Sequence, residues 1–445
     1  MGRAAPRRVL LHSIAAPPGS ALARRLERAR PPHFELSPLV GAFPQPVVRV
    51  SGPVQQLDEA SSGLPDGAAR AEAIAVRLRR AGVELEWGRP CSVADLGTLI
   101  QLSRARGASS VEMLRSDPSL VTEMQIGACF DAYWRTRVLR RVLCRTRIPR
   151  SGRWTPSMFV RSTADAAFWT GVKSVATTEE WERLVKSSYL VLYYHRIAGR
   201  RTPGHAHLDV HPRRFERQLR VLRRLGLRPL SPDELLAFHS DPSATISGRR
   251  YVLAADDGIA DTVAVFSRYG ELRPQMFVCT GDVGGRSVWS DNAPIAGWEE
   301  LRELDRSGGR VGSHARRHTP LTELAADVLE AELAAALRDL ESHLPRFTRF
   351  LAYPHGAHNH RVRSAAIEAG YEAAFTTEPG RNGAGTDLYC LRRIELKDWD
   401  GAFLLLWTAL TGEPLPWRWE RVRRWVKGAR ATRRDARNPR GTAAS

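Results

Sequence analysis

The chain has 445 residues, a net charge of +19 from 67 Lys and Arg against 48 Asp and Glu, and 43% hydrophobic residues. That length suits two domains, each with apolar residues enough for a core. No apolar run approaches the length of a membrane span, so a transmembrane helix is not expected.

Five cysteines stand scattered at 91, 129, 144, 279 and 390, with neither a disulfide framework nor a zinc-knuckle spacing, so a reducing compartment is expected. The first residues carry a basic patch and a short apolar stretch broken by His12 and Ser13. This reads as a strand and loop and not as a secretory signal, which points to the cytoplasm. Residues 1 to about 60 read as short strands and Pro-rich loops. Residues 67–83 have helical periodicity ending at Gly82, and 92–147 hold further helical patterns. A loop is expected at 148–157, then helices over 167–188 with Thr178 as N-cap before Glu179 and Glu180. This half shows no repeat and no nucleotide-binding glycine loop. Residues 1–185 are therefore expected to be a mainly helical accessory domain without assigned chemistry.

The second half alternates. Strands are expected at 189–195, 251–255, 275–280, 310–314, 349–353, 372–376 and 389–394, with helices between them such as 320–343. Such alternation implies an α/β domain of parallel strands joined by crossover helices, with reactive residues gathered at the strands' carboxyl ends. Three segments carry chemistry there. The apolar run Tyr251–Ala255 ends in Asp256 and Asp257 followed by Gly258, which is how a buried strand delivers acids to its end and turns away. VGSHARRHTP (311–320) sets His314 and His318 at one corner, with Thr319 and Pro320 suited to cap the next helix. FLAYPHGAHN (350–359) ends another strand in Tyr353-Pro354-His355-Gly356. One carboxylate and two imidazoles form a three-ligand set that leaves a divalent metal open, and a second carboxylate is then free as a base.

In their order and spacing these segments resemble the NodB-homology polysaccharide deacetylases, carbohydrate esterase family 4. VLYYHRIAG (191–199) and HPRRFERQLRVLRRLGLRPLSPDEL (211–235) are similar to the "YHRI" subgroup, which includes poly-N-acetylglucosamine deacetylases. The resemblance covers roughly residues 188–400. It implies a distorted, incomplete (β/α) barrel, expected over 186–412, with a basic helix and disordered tail over 413–445. It implies that Asp257, His314 and His318 bind a divalent metal, zinc first, and that Asp256 is the general base. The His355 N–H helps to hold the oxyanion, and Tyr353, Pro354 and Arg393 lie at the substrate. The family's late histidine is missing, since none follows His360; in the subgroup the entry-strand histidine takes the general-acid role, here His195, with His358 as the alternative. The arginine that orients the base in the third motif is Ala352 here, and Arg393 is its possible substitute. Ala255 and Ala315 also depart from the family pattern.

The implied reaction is hydrolysis of the N-acetyl group of a sugar in a polysaccharide, oligosaccharide or lipid-linked glycan precursor. Positive charge is nearly all arginine, with lysine only at 173, 186, 397 and 427. An arginine surface suits anionic lipid at the inner face of the membrane, or the diphosphate of a lipid-linked sugar. The tryptophans of the tail could rest on such a membrane or dock on the barrel. Nucleic acid is disfavoured, since no nucleic-acid-binding motif appears. Two rival readings are a carbohydrate-binding pseudoenzyme and a basic interaction protein.

Overall fold

The computed structural model describes residues 10–12, 35–37, 47–50, 59–81, 85–88, 96–131, 134–143, 157–202, 205–288, 290 and 292–414. The tail from 415 onward and most of the loop expected at 148–157 lie outside them. The chain divides into two compact units. The first combines residues 1–189 with 230–250 and 382–391, so it is discontinuous. Two segments expected in the deacetylase domain therefore belong to the accessory unit. The second unit takes 190–229, 251–381 and 392–445.

The first unit has two short strand pairs: Leu10–His12 runs parallel to Glu35–Ser37, and Val47–Val50 pairs antiparallel with Leu85–Gly88 across the first helix in sequence. Helices lie at Arg70–Arg80, Leu96–Ser116, Trp134–Leu143 and Ser157–Val175. The apolar faces of Arg70–Arg80, Leu96–Ser116 and Ser157–Val175 meet in one cluster that includes Ala73, Leu78, Val111, Met113, Phe168, Trp169 and Val172. The next helix is capped by Thr177 and not by Thr178. The Thr177 hydroxyl accepts the Glu180 N–H at 3.2 Å, and the Glu180 carboxylate accepts the Thr177 N–H at 2.7 Å. This is a reciprocal capping box, and it fixes the start one residue earlier than the acid pair suggested. The strand expected at 389–394 is also reduced. Asp387 accepts the Tyr389 N–H at 2.8 Å and its carbonyl accepts the Cys390 N–H at 2.9 Å, so a local turn takes the backbone groups a strand would use.

In the second unit a curled half-barrel sheet carries the site. From one edge the strand order is Ala373–Phe375, Phe350–Ala352, Arg310–Ser313, Gln275–Val278, Arg249–Ala255 and Ser188–Tyr194, with Ile394–Glu395 beside the last. Neighbours from Ala373–Phe375 to Arg249–Ala255 pair in parallel, as does Ile394–Glu395 with Leu192–Tyr193. The strands are short, apolar and buried on both faces, which is the mark of a sheet wrapped by crossover helices. Helices Pro212–Arg224, Ala260–Ser267, Trp298–Ser307 and Ala326–His343 supply that cover. Phe215, Leu219 and Leu222 of the first pack with Leu192, Tyr194, Leu253 and Phe266 in one core.

Thr319 and Pro320 do not open the long helix. One 3-10 turn at Leu321–Glu323 intervenes, and the helix starts at Ala326 after Ala325. Leu321 is fully buried, so the chain seats that side chain before helical winding begins.

Candidate active site

Each reactive group stands just past the end of a strand. Asp256 and Asp257 follow Ala255, His314 follows Ser313, His195 follows Tyr194, and the Pro354–Gly356 turn follows Ala352 and Tyr353. The backbone at these ends is unusual. Asp257 has φ 69°, Ala315 φ 62° and His355 φ 58°, three of the five non-glycine residues in the left-handed region among those described. Gly258 continues the turn at φ 67°, and a Cβ there would come within 2.9 Å of Val278 Cγ1. Left-handed residues other than glycine are costly and persist where surroundings enforce them, often at functional sites.

His314 and His318 face Asp257. Both Nε2 atoms lie 3.5 Å from Asp257 Oδ1. His314 Nδ1 is 2.7 Å from the Ala352 carbonyl, a partner that can only accept, so its proton sits on Nδ1 and Nε2 presents a lone pair. Burial pushes the His318 imidazole down to about 3, which keeps it neutral. Asp257 Oδ1 is itself buried and has no hydrogen-bond partner. Ring nitrogens and a carboxylate oxygen thus confront one another, an arrangement that a cation would relieve. These three residues form the one metal-capable group of His, Cys, Asp or Glu found among the described residues, with ligand atoms within 4.8 Å of one another. The donor set and the orphaned oxygen both fit a divalent ion.

Asp256 is held apart from that group. Arg393 Nη1 donates to its Oδ1 at 2.7 Å, and Arg393 Nε donates to the Thr376 carbonyl at 2.8 Å. The Arg393 guanidinium also lies over the Tyr193 ring, 4.2 Å from its centroid. Burial alone would raise the Asp256 pKa, but Arg393 and the nearby histidines hold it below the usual carboxylate range. Asp257 goes the other way, raised chiefly by burial. Two adjacent acids are therefore differentiated by surroundings, one ionised on an arginine and one left bare.

His195 has its own acid. Its Nδ1 is 2.9 Å from Glu395 Oε1, and Lys397 Nζ pairs with the same oxygen. Burial would lower the His195 pKa, yet the hydrogen bond to Glu395 and the charges of Asp257 and Asp256 raise it. Glu395 is lowered in turn by His195 and Lys397 against the effect of burial. Sequence reasoning missed Glu395 and Lys397. The available signal was the alternation of Arg393, Glu395 and Lys397, which puts all three on one face of an extended segment.

The turn at Pro354–Gly356 brings the His355 ring to 4.3 Å from that of His318. Its internal bonds use the N–H groups of Gly356 and Ala357 and leave that of His355 outside them. Tyr353 and Pro354 are buried, so neither offers a side-chain face to a substrate, as was expected of them; Tyr353 stacks on His358 at 5.2 Å. His358 is further held by the Gly356 carbonyl, 2.9 Å from its Nδ1. Arg393, 1% exposed, faces Asp256 and not solvent, so its guanidinium is placed to fix that carboxylate and is not open to a substrate.

The polysaccharide deacetylase family model matches residues 250–374, which include both aspartates, His314, His318 and the Pro354–Gly356 turn. These residues form a polysaccharide deacetylase domain. The enzyme class is carbohydrate deacetylase, a hydrolase. None of the curated proteins matches the sequence. Among solved structures, the chain is similar to the deacetylase PplD of Streptococcus pyogenes in complex with acetate, at 24% identity and a TM-score of 0.45 over 51% of this chain and 99% of that one. It is similar to IcaB of Ammonifex degensii, at 22% identity and a TM-score of 0.44 over 51% of this chain and 97% of that one. A de-N-acetylase of Aggregatibacter actinomycetemcomitans gives 16% identity and a TM-score of 0.42 over 48% of this chain and 97% of that one. The family match of the deacetylase domain stops before Arg393 and Glu395 and begins after His195. The groups that orient Asp256 and supply His195 thus lie outside it.

Proposed function

We propose that this deacetylase hydrolyses the N-acetyl group of an N-acetylated sugar, in a polysaccharide, an oligosaccharide or a lipid-linked glycan precursor, and depends on a divalent metal. The observation that carries this reading is the bare Asp257 oxygen facing two imidazole nitrogens, with Asp256 pinned beside it by Arg393. Asp257, His314 and His318 would hold the ion, and zinc is the ion such a donor set suits best. When bound, a divalent metal supplies a Lewis acid that polarises the acetyl carbonyl.

The chain's own residues do the rest. Asp256, ionised and fixed in one orientation by Arg393, accepts the proton of the attacking water. The His355 N–H, outside the turn's own bonds, donates to the oxygen that gains charge. His195, whose protonated form the Glu395 hydrogen bond favours, gives its proton to the departing sugar nitrogen, so acetate and a free amine result. Arg393 is a positioning residue, and Tyr353 and Pro354 set the turn that presents His355.

The test is acetate release from N-acetylglucosamine oligomers. Wild type should release acetate, a chelator should stop it, and added zinc should restore it. Asp256→Asn should fall by about 100-fold or more, the usual scale of a lost general base. Absence of release from metal-loaded wild type on a panel of N-acetylated glycans would overturn the reading in favour of a binding protein.

A further inference from the structure

We infer that an arginine-lined cavity beside His195 is a phosphate subsite, and that the substrate glycan carries a phosphate or diphosphate group. The cavity measures about 320 Å³ and is lined by Arg201, Arg213, Arg214, Arg217, His211 and Asp398. That is near the lower size of small-molecule sites. Its remaining wall places it beside the chemistry. Ala198 and Gly199 follow His195 closely in the chain, and Asp398 follows Glu395 just as closely. Three residues span at most about 10 Å, so the cavity lies at the same end of the sheet as the proton donor.

The charge around it is not balanced from within. Asp398 accepts from Arg201 Nη2 at 3.1 Å and from the His211 N–H at 3.0 Å. Asp209 is buried and accepts from the Thr202 N–H and, at 3.1 Å, from the Thr202 hydroxyl. Arg213, Arg214 and Arg217 have no ion-pair partner among the described residues. Elsewhere in this unit surface arginines do find acids: Arg302 and Arg306 pair with Glu299, and Arg349 pairs with Glu341.

Their placement makes the imbalance worse. The three arginines stand in the first two turns of helix Pro212–Arg224, whose first turn holds no acid. Peptide dipoles already make that end positive, and cations there oppose them. An anion in the cavity would meet the dipole and the guanidiniums together. A phosphate suits better than a carboxylate. It offers more acceptor oxygens and up to two charges to several guanidiniums, each able to pair through two N–H groups. A neutral sugar would leave the three cations uncompensated.

For its substrate the proposal rests on the deacetylase reading; the anion site itself does not. The first arm titrates inorganic pyrophosphate into full-length protein by calorimetry. Wild type should bind about one equivalent. Arg214→Gln/Arg217→Gln should bind about 10-fold more weakly or worse, and Asp257→Asn as wild type does. Equal binding by wild type and the double variant, or loss only in Asp257→Asn, would overturn the site. The second arm compares acetate release from N-acetylglucosamine oligomers with and without a terminal phosphate. Wild type should favour the phosphorylated oligomer by about 10-fold in kcat/KM, and the double variant should lose that preference while keeping its rate on the neutral one. No preference in wild type, or an equal loss on both oligomers, would refute the glycan-phosphate assignment. So would phosphatidylglycerol vesicles that bind through the same arginines without any oligomer preference. If no oligomer releases acetate while pyrophosphate still separates wild type from the double variant, the anion site stands and the deacetylase reading fails.

Discussion

His195 and Glu395 lie 200 residues apart in sequence and 2.9 Å apart in space, and the pairing sets the charge of the proposed proton donor. His195 would be lowered by burial; the Glu395 hydrogen bond and the Asp257 charge raise it. A general acid works only while protonated, so activity falls on the alkaline side as His195 loses its proton. Glu395→Gln removes the charge that holds this proton, and the alkaline limb of the kcat/KM profile should move to lower pH. The acid limb, set by the base, should stay. A profile whose alkaline limb does not move would remove His195 from the acid role. The same two residues show what sequence could and could not reveal. Asp256, Asp257, His314 and His318 sit in short motifs whose local spacing discloses them. Glu395 and Lys397 act through a strand pairing with Leu192 and Tyr193, and no local pattern states which strand lies next to which.

Elements brought the site together largely where periodicity placed them. The strands ending at Ala255, Ser313 and Ala352 lie within a residue or two of the expected spans, because apolar runs bounded by turn residues are a local signal. The errors fell where short side-chain bonds compete with regular structure, at Thr177 and at Asp387, and after His318, where burial of Leu321 delays the helix. The accessory unit was the least legible. Its helices Leu96–Ser116 and Ser157–Val175 cross through facing glycines: a Cβ on Gly171 would come within 1.9 Å of the Arg104 carbonyl oxygen, and one on Gly107 within 1.9 Å of that of Phe168. Glycine in a helix interior costs about 1 kcal/mol relative to alanine, so both positions read as helix-weakening in sequence. In space they permit backbone contact. Gly171→Ala should therefore destabilise the protein by about 1–3 kcal/mol, against the gain expected from helix propensity. Thermal unfolding checks this, and a raised midpoint would show that the helices do not meet there.

Across the whole molecule, the deacetylase domain is matched over 250–374, while the accessory unit draws on 230–250 and 382–391 as well as the first 189 residues. The two units are therefore interleaved in sequence, and a cut at residue 185 would remove only part of the first. No described helix is long and apolar enough to cross a membrane. The +19 charge is partly organised at the barrel, where Arg393 fixes Asp256 and three arginines without an ion-pair partner among the described residues crowd one helix end. That Asp257, His314 and His318 hold a catalytic metal is the proposal on which the other roles depend. It is tested most directly by the divalent metal content of the purified full-length protein, after zinc loading and removal of excess, beside Asp257→Asn and His314→Ala. About one ion per chain is expected in wild type, with most of it lost in both variants. A wild type that retains no metal, or variants that retain as much as wild type, would contradict it.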